Sequence, residues 1–332
     1  MSEQFKALLV EQPEKKTFTR KIVTRSLDDL PEGEVVIRVA WSSLNFKDAL
    51  SATGHPGVTR GFPHTPGIDA AGSVVSDASG RFKAGDEVLV TGFDLGMETD
   101  GGYGQLIRVP ADWVVAMPAG MNTRESMIIG TAGFTAALSV YKMAANGVSP
   151  DQGEILVTGA TGGVGSVAVA ILAKAGYKVV AATGKASEEA FLKNLGASEV
   201  ISRDAVLEGA ERPMMKERWA GVIDCVGGDT LVAAIKSTRY GGTVTCCGLV
   251  GSIDLNVNVY PFILRGVSLL GIDSVQCPMT PRLAVWEKLA GEWKVPQLEE
   301  LASECTLEEL EDKISAILQG QLKGRTIVNL NA

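Results

Sequence analysis

The stretch EILVTGATGGVGSVAVAILAKAGYKVVAATGK, residues 154–185, decides the fold of half the chain. Its run Ala160-Thr161-Gly162-Gly163-Val164-Gly165 follows an apolar strand and opens an amphipathic helix, the context in which a glycine-rich turn can hold a dinucleotide. Gly162 lets the backbone approach a pyrophosphate and Gly165 lets the helix pack on the strand, while the helix N-terminus presents unpaired N–H groups and positive dipole to an anion. Ala160 stands where the usual pattern has its first glycine, with Gly159 just before it. The competing reading is a glycine-rich turn with no ligand.

The end of the second strand chooses the cofactor. An NAD site places Asp or Glu about 20 residues on, to accept from the ribose 2′-OH. Here Thr183-Gly184-Lys185 occupies that position. A hydroxyl, a glycine backbone and a lysine can hold a 2′-phosphate that an acid would repel, so the reading is NADPH. Ser187 and Arg203, the latter in ISRD at the end of the third strand, are further candidate phosphate partners; the bland alternative for Lys185 is a solvated surface lysine.

Outward from this segment, apolar strand-like runs continue to alternate with helices through EVISRD, GVIDCVG, TVTCCGLV and SLLGIDSV. Continuous apolar strands separated by helices imply a doubly wound parallel sheet of about six strands, covered on both faces. Upstream, residues 1 to about 122 read as short β-type runs punctuated by Gly, Pro and Asp, which predicts an irregular barrel or sandwich. Between the two lies MNTRESMIIGTAGFTAALSVYKMAANG, a helix that Asn122 or Thr123 can cap and Gly147 can stop, and a domain boundary is expected there. The last sixty residues add the helical stretches TPRLAVWEKLAG and TLEELEDKISAILQG and a closing strand, GRTIVNL, predicted to pack back on the first domain. The acidic run 299–312 is read as a solvated helix face.

Composition narrows the function classes. A length of 332 residues with 45% hydrophobic residues supports two cores. The formal net charge of -8 gives no global attraction to nucleic acid or an anionic membrane. Cys225, Cys246, Cys247, Cys277 and Cys305 form no CxxC pair or Cys/His cluster, so neither a disulfide framework nor a zinc site is indicated, and a reducing cytoplasm is expected. No signal-peptide or membrane-spanning run is recognised. The two histidines, His55 and His64, sit in no hydrolase motif.

Taken together, KALLV, WSSLNFKDAL, PHTPGIDAAG, GTAGFTAALSV, VTGATGGVGS, PFILRGVSLLGIDS and GRTIVNL resemble the zinc-free branch of the medium-chain dehydrogenase/reductase superfamily, in particular its quinone oxidoreductase and acrylyl-CoA reductase group. The resemblance implies an α/β architecture: a GroES-like β-rich catalytic domain over 1–128 and 273–332, a doubly wound parallel-sheet Rossmann domain over 129–272, and a homodimer joined through the Rossmann domains. It puts Asn45 where zinc alcohol dehydrogenases have a zinc cysteine, and Gly67-Ile68-Asp69 where they have Gly-His-Glu. Without zinc ligands there is no Lewis acid to ionise an alcohol, which disfavours alcohol dehydrogenation.

What then remains is hydride transfer to an acceptor polarised by conjugation, which needs hydrogen-bond donors at the oxygen that gains charge and a proton source. By resemblance, Asn45 and Asp48 line the active site, with the Asn45 amide orienting or polarising a carbonyl. Lys47 and Tyr103 are weaker candidates for charge stabilisation and proton delivery, and solvent is an alternative donor. Thr131, Gly248, Leu249 and the segment Ile272, Asp273, Ser274 are implied to lie near the nicotinamide, and Arg325 to reach a cofactor phosphate. The expected activity is NADPH-dependent reduction of acrylyl-CoA, with a quinone as the alternative acceptor and a non-catalytic NADPH-binding redox sensor as the alternative of another class. Arg60, Arg265 and Arg282 are candidates to meet coenzyme A phosphates.

Overall fold

The computed structural model describes residues 3–331. Two compact units emerge, Met1–Thr131 with Leu298–Ala332, and Ala132–Gln297.

In the second unit, six parallel strands lie in the spatial order Glu199–Ser202, Lys178–Thr183, Glu154–Val157, Trp219–Asp224, Thr238–Cys246, Ser268–Gly271. Numbered along the chain this is 3-2-1-4-5-6, the order of a doubly wound sheet whose ligand crevice opens at the carboxyl ends of the first and fourth strands. The alternation predicted from the apolar runs has a direct cause: consecutive residues Ile155, Leu156 and Val157 are all buried, because helices cover both faces. Val180, Val222 and Val244 continue the same core.

The first unit is built on a seven-stranded, mostly antiparallel sheet, with a separate two-stranded hairpin, Gln4–Glu14 and Thr17–Ser26. Its long strand Val35–Leu44 pairs with Asp69–Asp77, Leu106–Val109 and the closing strand Arg325–Asn329. Gly72 makes one crossing possible, since a Cβ there would fall 1.8 Å from the carbonyl oxygen of Arg38. Val35, Ile37, Val39, Val88, Ile107 and Val328 fill the interior. The tail therefore returns as a core strand.

One predicted boundary needs correction. Residues 273–297 belong to the second unit, not to the first as the resemblance implies. The helix Met279–Ala290 is held there by Trp286, stacked on Phe134 at 5.8 Å, and by Arg282, whose guanidinium lies over the Phe134 ring and donates to the carbonyls of Ser274, Val275 and Cys277. Sequence alone offers no hint that Phe134 is waiting for them.

The linking helix Thr123–Ala145 is capped reciprocally by Asn122 and Glu125 and broken at Gly130, where φ is 51° and ψ is -163°. By length and composition it could cross a membrane, but 78% of its apolar window is buried inside the protein, as in a core helix.

Candidate functional site

A pocket with the setting of a nucleotide site lies in the second unit at the carboxyl ends of the parallel strands. Gly159, at φ 59°, makes the tight turn, and the Ala160 N–H donates to Ala182 O on the neighbouring strand. The operative spacing is thus Gly159-x-x-Gly162-x-x-Gly165, one residue earlier than the alignment that put Ala160 in the first position. Gly165 confirms the close-packing role, because a Cβ would sit 2.3 Å from Gly159 O. Gly162 caps a helix that begins at Gly163 and runs through Val164. Having no side chain, it leaves the first N–H groups of that helix to an incoming anion.

Thr161, Thr183, Gly184, Lys185 and Arg203 line the pocket's other end. The Lys185 N–H donates to Thr183 Oγ1, which faces Thr161 Oγ1 at 3.3 Å. Gly184 leaves room for its neighbour: a Cβ would lie 2.6 Å from a nitrogen of the Arg203 guanidinium, which would have to move aside. Two cations and two hydroxyls with no carboxylate among the lining residues suit a phosphate monoester. Ser187, in the turn Ala186–Glu188, is exposed and does not join the lining. The sequence reading missed Thr158, Val226 and Thr230, which also line the pocket. Their only signal was position, at or just beyond strand carboxyl ends. Asp224, at the end of its strand, is occupied by Thr158 Oγ1 and the N–H groups of Val226 and Gly227.

In the first unit, the residues expected to carry the chemistry meet in a buried polar cluster. Asn45 caps the short helix Phe46–Ala52, and Asp48 answers it: Asp48 Oδ2 accepts from the Asn45 N–H at 2.8 Å and from Nδ2 at 3.1 Å, while Oδ1 accepts from the Ile68 N–H. Asp69 is the hub. Its carboxylate accepts from Asn45 Nδ2 at 2.7 Å, from Ser43 Oγ at 2.5 Å, and from both the N–H and Oγ1 of Thr131. Arg325 closes the ring, donating to Ile128 O, Leu44 O, Asn45 Oδ1 and Ser43 Oγ, with its guanidinium 4.0 Å from Asp69.

Burial, and then the nearby Asp69 charge, push the Asp48 carboxyl up to about 7. An unfolded-state Asp releases its proton near 3.9, so between about pH 4 and pH 7 the native state binds the extra proton. Stability contributed by neutral Asp48 is therefore fully present below about pH 4 and lost as pH rises through about 7. Urea unfolding of the wild type against Asp48→Asn across this window is expected to show that downward slope only in the wild type.

Two family profiles match the chain: "Alcohol dehydrogenase GroES-like domain" over residues 31–119 and "Zinc-binding dehydrogenase" over residues 163–289. Acrylyl-CoA reductase AcuI of Ruegeria pomeroyi is 45% identical over 99% of this chain and 100% of its own length. YhfP of Bacillus subtilis, whose name carries a provisional quinone oxidoreductase assignment, is 47% identical over 99% of this chain and all of its own. Its crystal structure with NAD superposes with a TM-score of 0.97, at 47% identity over 99% of this chain and 100% of that one. That of Escherichia coli YhdH with NADPH gives 0.94, at 47% identity over 98% of this chain and 100% of that one.

The chain belongs to the medium-chain dehydrogenase/reductase superfamily, in its zinc-free quinone oxidoreductase and acrylyl-CoA reductase group.

Within that family frame the geometry revises several residue roles. Both Nδ2 hydrogens of Asn45 are held by carboxylates and its Oδ1 by Arg325, so the amide orients the cluster and has no donor left for a substrate carbonyl. Arg325 is 2% exposed and spent on four protein acceptors, which removes it as a phosphate ligand. Tyr103 is fully buried with its hydroxyl on Ser43 O, and burial followed by the Asp48 charge holds that hydroxyl well above its ordinary value. It is a poor proton donor to a substrate. Lys47 lies half-buried in the Asp48 helix. Asp69 was noticed only as a departure from Gly-His-Glu, yet it ties Asn45 to Thr131. Among the described residues, no group of three or more His, Cys, Asp or Glu could hold a metal ion.

Residues of the strand-end loops are placed less directly. Gly248 packs on the Cys225 backbone and Leu249 is exposed. The Ile272 N–H pairs with Cys246 O, Asp273 turns its carboxylate onto the N–H groups of Val275 and Gln276, and the Ser274 hydroxyl accepts from Thr135 Oγ1. Arg265 is committed to Met215 O, Lys236 O, Thr238 O and Glu217, and Arg282 is fully buried, so neither can meet coenzyme A. Arg60 stays exposed, 3.9 Å from Glu98.

Gly130→Ala tests how tightly the cluster is built. A Cβ there would lie 2.5 Å from Ser43 Oγ, 2.6 Å from Asp69 Oδ2 and 2.7 Å from Arg325, at a backbone conformation open to glycine alone. The variant is expected to lose roughly 1–3 kcal/mol of stability from backbone strain and to lose activity with it, read by urea unfolding and NADPH oxidation.

Proposed function

We propose that the chain is an NADPH-dependent reductase of a double bond conjugated to a thioester, with acrylyl-CoA as substrate and propionyl-CoA as product. The observation that carries the cofactor is the lining at the end of the second strand, Thr183, Lys185 and Arg203 without an acid. What supports the substrate is the end-to-end similarity to an acrylyl-CoA reductase.

NADPH supplies the hydride, which goes to the β-carbon. Lys185 and Arg203 hold the 2′-phosphate, and the helix N-terminus after Gly162 holds the pyrophosphate. Asp69 positions Thr131 and Asn45, and Arg325 offsets the Asp69 charge. The α-carbon takes its proton from solvent, since Tyr103 and Asp48 are both fully buried.

Quinone reduction is the second reading, favoured by similarity to YhfP. Comparing kcat/KM for acrylyl-CoA and a 1,4-quinone with purified protein separates them. A higher value for the thioester supports the proposal; a higher value for the quinone overturns it. If neither oxidises NADPH, the protein is a non-catalytic binder.

The working form is a homodimer in the cytoplasm. Supporting the dimer, Ile253, Val259, Ile263 and Leu264 are all more than half exposed on the segment leading to the edge strand Ser268–Gly271, apolar side chains that a monomer would leave in water. Light scattering that returns one chain mass at micromolar concentration would remove it.

A further inference from the structure

Strands Trp219–Asp224 and Thr238–Cys246 run parallel and adjacent, with Asp224 opposite Cys246. One residue further on, Cys225 comes opposite Cys247, just past the end of each strand. Neighbouring strands lie about 4.8 Å apart, inside the roughly 4.4–6.8 Å between Cα atoms that a disulfide spans. The two sulfurs are 3.9 Å apart, and both side chains are half-buried.

The backbone holds them there. The Cys225 N–H donates to Thr158 Oγ1 at 3.0 Å and the Cys247 N–H to Asp224 O at 3.1 Å. Gly248 lets the second loop close on the first, since a Cβ would fall 2.0 Å from Cys225 O. Gly251 then donates to Val226 O at 2.8 Å, and Val226 is a wall of the nucleotide pocket. Hydride transfer uses neither sulfur.

We propose that Cys225 and Cys247 are a dithiol oxidised by hydroperoxides to an intrachain disulfide, a modification site beside the nucleotide pocket. Contact with the Cys247 thiol, then burial, holds the Cys225 thiol well above its ordinary value, so Cys225 is the slower to react and Cys247 meets the oxidant first. The Cys247 sulfur takes an oxygen from the peroxide, the O–O bond breaks, and an alcohol or water leaves. Cys225 sulfur then attacks the sulfenic sulfur, forming S–S and releasing the oxygen as water. Two thiols lose two electrons and two protons, and one hydroperoxide is reduced. Cys246, one residue back on the strand, faces the opposite side of the sheet. Cys277 and Cys305 are buried elsewhere.

The test is a peptide map under non-reducing conditions of purified, folded protein treated with hydrogen peroxide, with thiols titrated in parallel. Expected are the loss of two thiols per chain, a single cross-linked peptide pair carrying residues 225 and 247, and reversal by dithiothreitol. Cys246→Ser should keep the bridge, whereas Cys225→Ser and Cys247→Ser should each abolish it. A sulfinic acid at Cys247 without a bridge, or a bridge through Cys246 or between chains, would overturn the proposal. The wild-type map decides even where a serine variant folds poorly.

Discussion

Lys185→Ala is expected to weaken NADPH binding about tenfold while leaving NADH within about twofold, and Lys185→Ala with Arg203→Ala to weaken NADPH about a hundredfold. The reason is a charge-assisted contact worth roughly 1.5–3 kcal/mol, against about 1.4 kcal/mol per factor of ten in affinity. Only the 2′-phosphate distinguishes the two cofactors, so a change confined to NADPH locates that phosphate at Thr183, Lys185 and Arg203. Fluorescence titration of both cofactors against each variant gives the ratio. The YhfP crystal structure carries NAD, which makes the comparison pointed. Equal losses for NADPH and NADH would mean that the lysine supports the fold of the pocket and that the 2′-phosphate has no site there.

Arg325→Met is expected to cost about 3–5 kcal/mol of stability, as breaking a buried charge pair typically does. Methionine keeps much of the volume but leaves Asp69 uncompensated and Ile128 O, Leu44 O, Asn45 Oδ1 and Ser43 Oγ without their donor. Arg325→Lys should recover only part of the loss, since one ammonium cannot reproduce the planar fork that reaches four acceptors. Urea unfolding of the three proteins reads the order. Were Arg325 a phosphate ligand instead, Met would raise the NADPH dissociation constant with little change in the urea midpoint.

The doubly wound parallel sheet of the second unit was largely legible because its physics is local, although its strand order was not read from the sequence. Apolar runs of strand length, helices between them and a glycine turn each declare themselves within a few residues, and a parallel sheet leaves little choice in connecting them. Thr183, Gly184 and Lys185 were legible for the same reason, lying where the second strand must end. Arg282 and Phe134 were not, being more than a hundred residues apart in the chain and joined only by packing.

The polar cluster shows the same division. Sequence alone determined that residues 154–185 hold a dinucleotide turn and that its second strand ends in Thr-Gly-Lys where an NAD site has an acid; that Asn45 and Asp48 lie in one site came only from the resemblance. Tertiary structure decided what those groups can do. It carried Arg325 from the far end of the chain beneath Asn45, made Asp69 the acceptor for Ser43, Asn45 and Thr131, and buried Tyr103. A hydrogen bond depends on angstroms and on the removal of water, and neither is written in the spacing of residues along a chain.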